Sequence, residues 1–223
     1  MPESSERELL RLLAGMEVSP ERIRQLLGDR DARRLHVVRR VLAAHPKTPR
    51  ADALALVPTL YWRDLAWISS EARTHPAVRR AADQEILRRF PGLALSERCA
   101  VAELSGRGVI AFVRRNVDAS VLRALLRNRL TVEADVVFIA SKSRNPELLA
   151  ALLSIPGWGV RVAVRSAIAR NLFTPEPEAV ELFAMIPLED LREICREASR
   201  PASILFGARQ ALSERVEANA RLV

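Results

Sequence analysis

The chain has 223 residues, 49% of them apolar and 28% charged, and it carries a net charge of +8. That balance excludes a disordered tail, which lacks the apolar residues for a core, and no run of eighteen apolar residues offers a membrane span. Lys47 and Lys142 are the only lysines, so nearly all of the positive charge is arginine, and the surplus attracts polyanions and acidic protein surfaces alike.

Met1 to Gly15 contains Glu3, Glu6 and Glu8 and has neither the basic start nor the continuous apolar stretch of a secretory signal, so the expected location is cytoplasmic. Helical spacing runs along the chain in order: Leu9, Leu10, Leu12 and Leu13, then Ile23, Leu26 and Leu27, then Leu35, Val38, Val41 and Leu42. Residues 1–30 read as N-terminal capping helices. Prolines fall between the apolar segments, glycine is scarce and no alternating strand pattern stands out, which predicts an all-α chain of short helices. Thr48-Pro49, Thr131-Val132 and Thr174-Pro175 each precede a helical stretch, predicting threonine as N-cap and proline at the first helical position. Asn116, Asn128, Asn145 and Asn171 each follow an arginine and close an apolar stretch, predicting left-handed C-terminal caps beside a cation. Residues 201–223 read as a C-terminal capping helix.

A shift of 126 residues lays Val38-Arg39 on Val164-Arg165, Thr48-Pro49 on Thr174-Pro175, Asp64-Leu65 on Asp190-Leu191 and Glu71-Ala72 on Glu197-Ala198 without a gap. A shift of 43 lays Val121, Ala124, Asn128 and Thr131 on Val164, Ala167, Asn171 and Thr174. The two shifts imply a repeat of about 42 residues, with a degenerate copy near Phe90 to Leu104, and that period belongs to helical solenoids.

The segment Pro76-Ala-Val-Arg-Arg-Ala-Ala-Asp-Gln-Glu-Ile-Leu87 resembles the second helix of a HEAT repeat. Val164-Arg-Ser-Ala-Ile-Ala-Arg-Asn-Leu-Phe-Thr-Pro175 resembles the bacterial leucine-rich repeat variant. The resemblance implies one domain over residues 1–223, a right-handed α-solenoid of HEAT, armadillo or leucine-rich-variant type. It implies no particular function. It also implies that Arg39, Arg79 and Arg165, in the Val-Arg position of the HEAT arginine, bond turns or neighbouring acids within the array.

The chain has no phosphate loop, no His-Glu-x-x-His and no nucleophile elbow, and Gly106-Arg-Gly108 lacks the third glycine of a dinucleotide site. His36, His45 and His75 form no metal-ligand spacing with Cys99 and Cys195, which read as two buried thiols. The cysteine-rich iron–sulfur segment of one member of the variant family has no counterpart here, so no cofactor, metal site or catalytic residue is expected.

Leu60 to Trp67 holds two of the three tryptophans and the one tyrosine. Trp62 matches Leu188 under the 126-residue shift and reads as core, whereas Trp67 matches Glu193 and reads as an exposed contact. Arg40, Arg80, Arg114 and Arg115, with Arg33, Arg34, Arg88 and Arg89, supply the free positive surface. The duplicated Asp64 and Asp190 read as first-turn acids near Tyr61–Trp62 and Pro187–Leu188. The resulting expectation is a non-enzymatic scaffold that binds a protein or peptide on its concave face through Trp67, Arg40, Arg80, Arg114 and Arg115. A basic nucleic-acid-binding solenoid is the alternative, and a HEAT-like DNA glycosylase ranks last.

Overall fold

The computed structural model of the protein describes residues 18–116 and 118–221; the Leu9 to Leu13 segment of the expected N-terminal capping region lies outside them. Fifteen α-helices and two single-turn 3₁₀ segments make up the described residues, with no strand among them. The helices are α1 (Pro20–Gly28), α2 (Arg30–Arg34), α3 (His36–Ala44), α4 (Arg50–Leu56) and α5 (Trp62–Ser70). They continue with α6 (Pro76–Arg89), α7 (Leu95–Leu104), α8 (Arg107–Val113), α9 (Ala119–Leu125) and α10 (Glu133–Lys142). The last are α11 (Pro146–Ser154), α12 (Val162–Ala169), α13 (Glu176–Phe183), α14 (Leu188–Arg196) and α15 (Ala202–Ala220).

The order of helices repeats in threes. The first helix of each period is α3, α6, α9, α12 or α15, starting at residues 36, 76, 119, 162 and 202. Starts separated by 126 residues coincide for α3 and α12, α4 and α13, α5 and α14, and α6 and α15. Each first helix buries a β-branched residue at its third position, namely Val38, Val78, Val121, Val164 and Ile204. One turn on it buries Leu42, Ala82, Leu125, Ile168 or Ala208. Residues four apart share one helix face, so each first helix presents a continuous apolar stripe. Complete burial of a leucine or isoleucine in such a stripe stabilises by roughly 1.5–3 kcal/mol.

The chain divides into two compact units, one of residues up to Val113 with Arg123–Leu130, and one of Arg114–Leu122 with residues from Thr131 onward. In the first unit α5 packs on α6 and α7, α4 on α6, and α6 on α8. Phe90 and Phe112 meet edge to face there at 5.6 Å. In the second, α10 packs on α12, α12 on α13, and both α13 and α14 on α15. The link into α12 turns at Pro156-Gly157, where Gly157 has φ of +80° and the Trp158 N–H donates to the Ile155 carbonyl at 3.2 Å. That is a type II turn, and glycine alone adopts its third position without strain.

Short helices leave many carbonyls at their C-termini without partners, and side chains from later in the chain, mostly in the connections, fill the need. In the first unit Asn128 Nδ2 donates to the Ala102 and Ser105 carbonyls at 2.9 and 2.8 Å, at the end of α7. Thr74 Oγ1 donates to Ala44 O at 3.1 Å, and Arg89 to Leu60 O and Pro58 O at 2.7 and 2.8 Å. In the second unit Asn171 Nδ2 donates to the Ala140 and Ser143 carbonyls at 2.6 and 2.9 Å, at the end of α10. Arg200 reaches Ala169 O and Arg170 O, and Arg215 reaches Phe183 O and Ile186 O.

This ladder corrects both capping expectations. No described non-glycine residue has positive φ, so the asparagines are not left-handed caps. Asn128 and Asn171 instead cap a different helix, while their Oδ1 atoms each accept the N–H two residues on at 2.8 Å. Asn145 is the N-cap of α11, accepting from Leu148 N at 3.0 Å, and Asn116 holds a turn by accepting from Asp118 N. Thr48 and Thr174 stand one residue before the cap, because Pro49 and Pro175 are themselves the N-caps in extended conformation. The N-cap of α10 is likewise Val132, not Thr131. The Thr174 hydroxyl turns back to donate to Ile168 O at 2.5 Å.

Candidate functional site

In the first unit, α3 and the start of α5 bring together His36, Arg40, Tyr61, Asp64 and Trp67. Asp64 is the third residue of α5, in its first turn as the sequence indicated, and only 8% exposed. His36 Nε2 lies 2.5 Å from Asp64 Oδ2, and Arg39 approaches His36 Nδ1 at 3.4 Å. Arginine can only donate, so Nδ1 accepts, and the Nε2 proton goes to Asp64. Both imidazole nitrogens therefore lie against protein groups. The pair acts as a support: Tyr61 lies against the His36 ring at 4.1 Å between centroids. Arg40 reaches Asp64 at 3.5 Å and covers the Trp67 ring at 5.7 Å. Tyr61 is 64% exposed and Trp67 43%, so two aromatic faces and a cation point outward from a bonded base.

Trp67 thus occupies the exposed position expected of it, joined with Arg40. Arg80 stands exposed on α6 at the register of Arg40, the fifth residue of its period's first helix. Trp62 is a correction: it is half-buried, and its Nε1 donates to Glu97 at 2.9 Å, because a leucine position near the surface leaves room for the indole N–H to find an acceptor. Arg114 is the larger correction. It is no free surface charge but pairs at 2.9 Å with Asp135, whose side chain is 0% exposed, and it packs over Phe138 at 4.5 Å. Its neighbour Arg115 is exposed and lies over the same ring at 5.5 Å.

Arg39 and Arg165 serve as the resemblance implied for their position. Arg39 donates to Arg33 O at 2.8 Å and Arg165 to Gly159 O at 2.8 Å, acceptors again 126 residues apart. Asp190 pairs with Arg170 at 3.2 Å. His36 and Tyr61 were not singled out from sequence. The signal for Tyr61 was its place beside Trp67 in an aromatic-poor chain, whereas nothing marked His36 before α3 and α5 were placed.

Elsewhere, burial pushes the Asp83 carboxyl up, against the Ser69 hydroxyl that donates to it and the Arg79 cation that lowers it. Ser69 Oγ in turn accepts from Gly106 N at 2.7 Å. A Cβ at residue 106 would collide with the Ser69 carbonyl, so glycine is required for this close approach of α8 to α5. Cys99 and Cys195 are free and half-buried rather than fully buried, and burial pushes the Cys195 thiol up, away from the reactive thiolate. Among the described residues no group of three or more histidine, cysteine, aspartate or glutamate side chains is placed to hold a metal ion. No described helix is long and apolar enough to cross a membrane. No family model, curated protein or solved structure matches the chain.

Proposed function

We propose that the chain is a non-enzymatic helical-repeat scaffold, a solenoid of the HEAT or leucine-rich-variant kind, that binds a protein or peptide partner. The observation that carries this reading is the outward cluster of Tyr61, Trp67 and Arg40 over the buried Asp64. Aromatics and arginine on a rigid support are the residue types that dominate protein–protein binding energy. The fate of the positive charge supports the same choice over nucleic acid. Arg39, Arg89, Arg165, Arg200 and Arg215 bond backbone carbonyls, and Arg114, Arg127, Arg161 and Arg170 pair with carboxylates. Free thiols at Cys99 and Cys195 suit a reducing cytoplasm.

The test is comparative capture from native cells with the wild type and with a Tyr61→Ala, Trp67→Ala double variant, beside a salt titration with mixed-sequence DNA and RNA. A partner retained by the wild type and lost by the variant is the expected result, with nucleic-acid binding weak and gone by about 150 mM salt. Submicromolar nucleic-acid binding that persists at about 200 mM salt would overturn the reading.

A further inference from the structure

In the second unit, the open groove of about 900 Å³ between α10, α12 and the start of α14 has its charges paired with one another, Arg161 with Glu133 and Arg170 with Asp190. The outer face of α15 differs. Arg209 lies on it exposed, with no hydrogen bond or ion pair among the described residues. Beside it Phe206, at 72%, is the most exposed large apolar side chain described.

The equivalent helix of the first unit shows what such a face accepts. As α6 packs on α4 and α5, so α15 packs on α13 and α14, but α6 is also covered by α8. Phe112 of α8 meets Phe90 edge to face, and Gly108 comes so close to α6 that a Cβ would collide with the Asp83 carboxyl. The equivalents of Phe90 and Asp83 are Val216 and Arg209. Phe90 is 3% exposed, whereas Val216 is 43% exposed. The uncovered face also has a period of its own. Ala202, Phe206, Arg209, Ser213, Val216 and Ala220, all exposed, follow one another in alternating steps of four and three. That is the spacing of a coiled-coil seam, and it runs the whole 19 residues of the helix.

We infer that this face pairs with itself: α15 lies antiparallel against the α15 of a second copy of the chain. Read in opposite directions, the seam is its own complement. Its layers set Phe206 against the partner's Val216, Arg209 against the partner's Ser213 and Ala202 against the partner's Ala220, so that each large side chain meets a smaller one. The charges agree. The Ser213 hydroxyl donates to Glu217 at 3.1 Å, which leaves its oxygen to accept from the incoming arginine with a carboxylate directly behind it. Two-fold symmetry makes that contact twice. A parallel pair would instead oppose Arg209 to Arg209, and like charges set face to face select against it. A second copy supplies the acceptor and the smaller apolar residue at the required layers by symmetry alone. One helix against one is a small contact, so the association is weak, in the micromolar range. The inference rests neither on the scaffold reading nor on the Trp67 surface.

The test is sedimentation equilibrium of the intact chain over a concentration series that spans the micromolar range. A reversible monomer–dimer equilibrium is expected. Phe206→Asp should weaken it at least about tenfold, with the circular dichroism and melting curve retained because the side chain is exposed. Arg209→Glu and Glu217→Arg should each weaken it by about three- to tenfold, and the two together in one chain should restore it. Residues 209 and 217 stand more than two turns apart on one helix, so restoration reports a contact between copies. Trp67→Ala should leave the dimer unchanged. A chain that stays monomeric throughout overturns the inference, whatever else it binds. So does a dimer indifferent to Phe206→Asp, or to Val216→Asp should Phe206→Asp fail to fold. A dimer that Phe206→Asp disrupts but the charge exchange does not restore overturns the antiparallel register. Growth beyond the dimer marks a head-to-tail contact and overturns the two-fold pair.

Discussion

The α3–α5 face of the first unit and the α12–α14 face of the second occupy the same register, yet they have become different surfaces. Inside, Val38, Leu42, Leu65 and Ile68 correspond to Val164, Ile168, Leu191 and Ile194, all of them buried. Outside, His36, Arg40, Tyr61 and Trp67 correspond to Val162, Ser166, Pro187 and Glu193. Asp64 and Asp190 stand in both faces, but the first is paired by the fifth residue of α3 and the second by the ninth position of the α12 register. The repeat dictates apolar stripes, first-turn acids and carbonyl caps; it leaves the outer positions open. One face uses that freedom for an aromatic and cationic cluster, the other for a neutral trough.

The deepest test of the shared framework removes the parts that have equivalents in both units. Asn128→Ala and Asn171→Ala each delete three hydrogen bonds and strand two carbonyls, so each should cost roughly 3 kcal/mol in urea melts. Equal losses would support equivalence; a neutral Asn171→Ala would break it. Arg114→Ala should cost on the order of 3 kcal/mol as well, because it leaves the fully buried Asp135 without its cation. Arg40→Ala, removing a half-exposed partner at 3.5 Å, should cost under about 1 kcal/mol. A reversed ranking of these two arginines would show that burial does not separate the ion pairs.

Helix type and period were legible because a 3.6-residue apolar spacing and a gapless 126-residue shift both survive in the residues themselves. The duplicated Val-Arg and the first-turn aspartates could be assigned for the same reason. What could not be read was where a polar side chain would point. Asn171 and Thr174 carry the composition of local caps, yet their donors go to Ala140, Ser143 and Ile168. Arg114 looked free because its partner Asp135 lies 21 residues on, a contact that only tertiary packing creates. The departure of Ser166 from Arg40 and Arg123 stands in the 126- and 43-residue shifts themselves, and only the match to Arg80 needed the helix starts.

Thr174→Ala should cost about 1 kcal/mol, through loss of its buried bond to Ile168 O rather than of an N-cap. A smaller effect carries a pH signature in the first unit. The Asp83 carboxyl is raised in the folded state, so the fold binds its proton more tightly than the unfolded chain does. Its contribution to stability is present below the ordinary carboxylate pKa and is lost as pH rises through the elevated value. Asp83→Asn keeps a hydrogen-bond acceptor for Ser69 and cannot ionise. The wild type should therefore lose stability relative to Asp83→Asn as pH is raised from acid to neutral, and urea midpoints moving the opposite way would refute the assignment.

The smallest expected effect is the most informative about the two faces. Exchanging their fifth residues, Arg40→Ser in one variant and Ser166→Arg in another, separates them: the first alters a half-exposed position and should leave stability nearly intact, whereas the second puts a long cation where the serine is only 9% exposed and should cost more. Arg40→Ser loses a partly exposed ion pair and uncovers Trp67. Ser166→Arg would stand toward Asp190 as Arg40 stands toward Asp64, but it sets a second cation one turn from Arg170, a like-charge cost of about 0.2–0.5 kcal/mol. If Ser166→Arg costs more than about 2 kcal/mol in urea melts, the serine is required by packing in α12. The difference between the two faces would then belong to the fold rather than to what binds it.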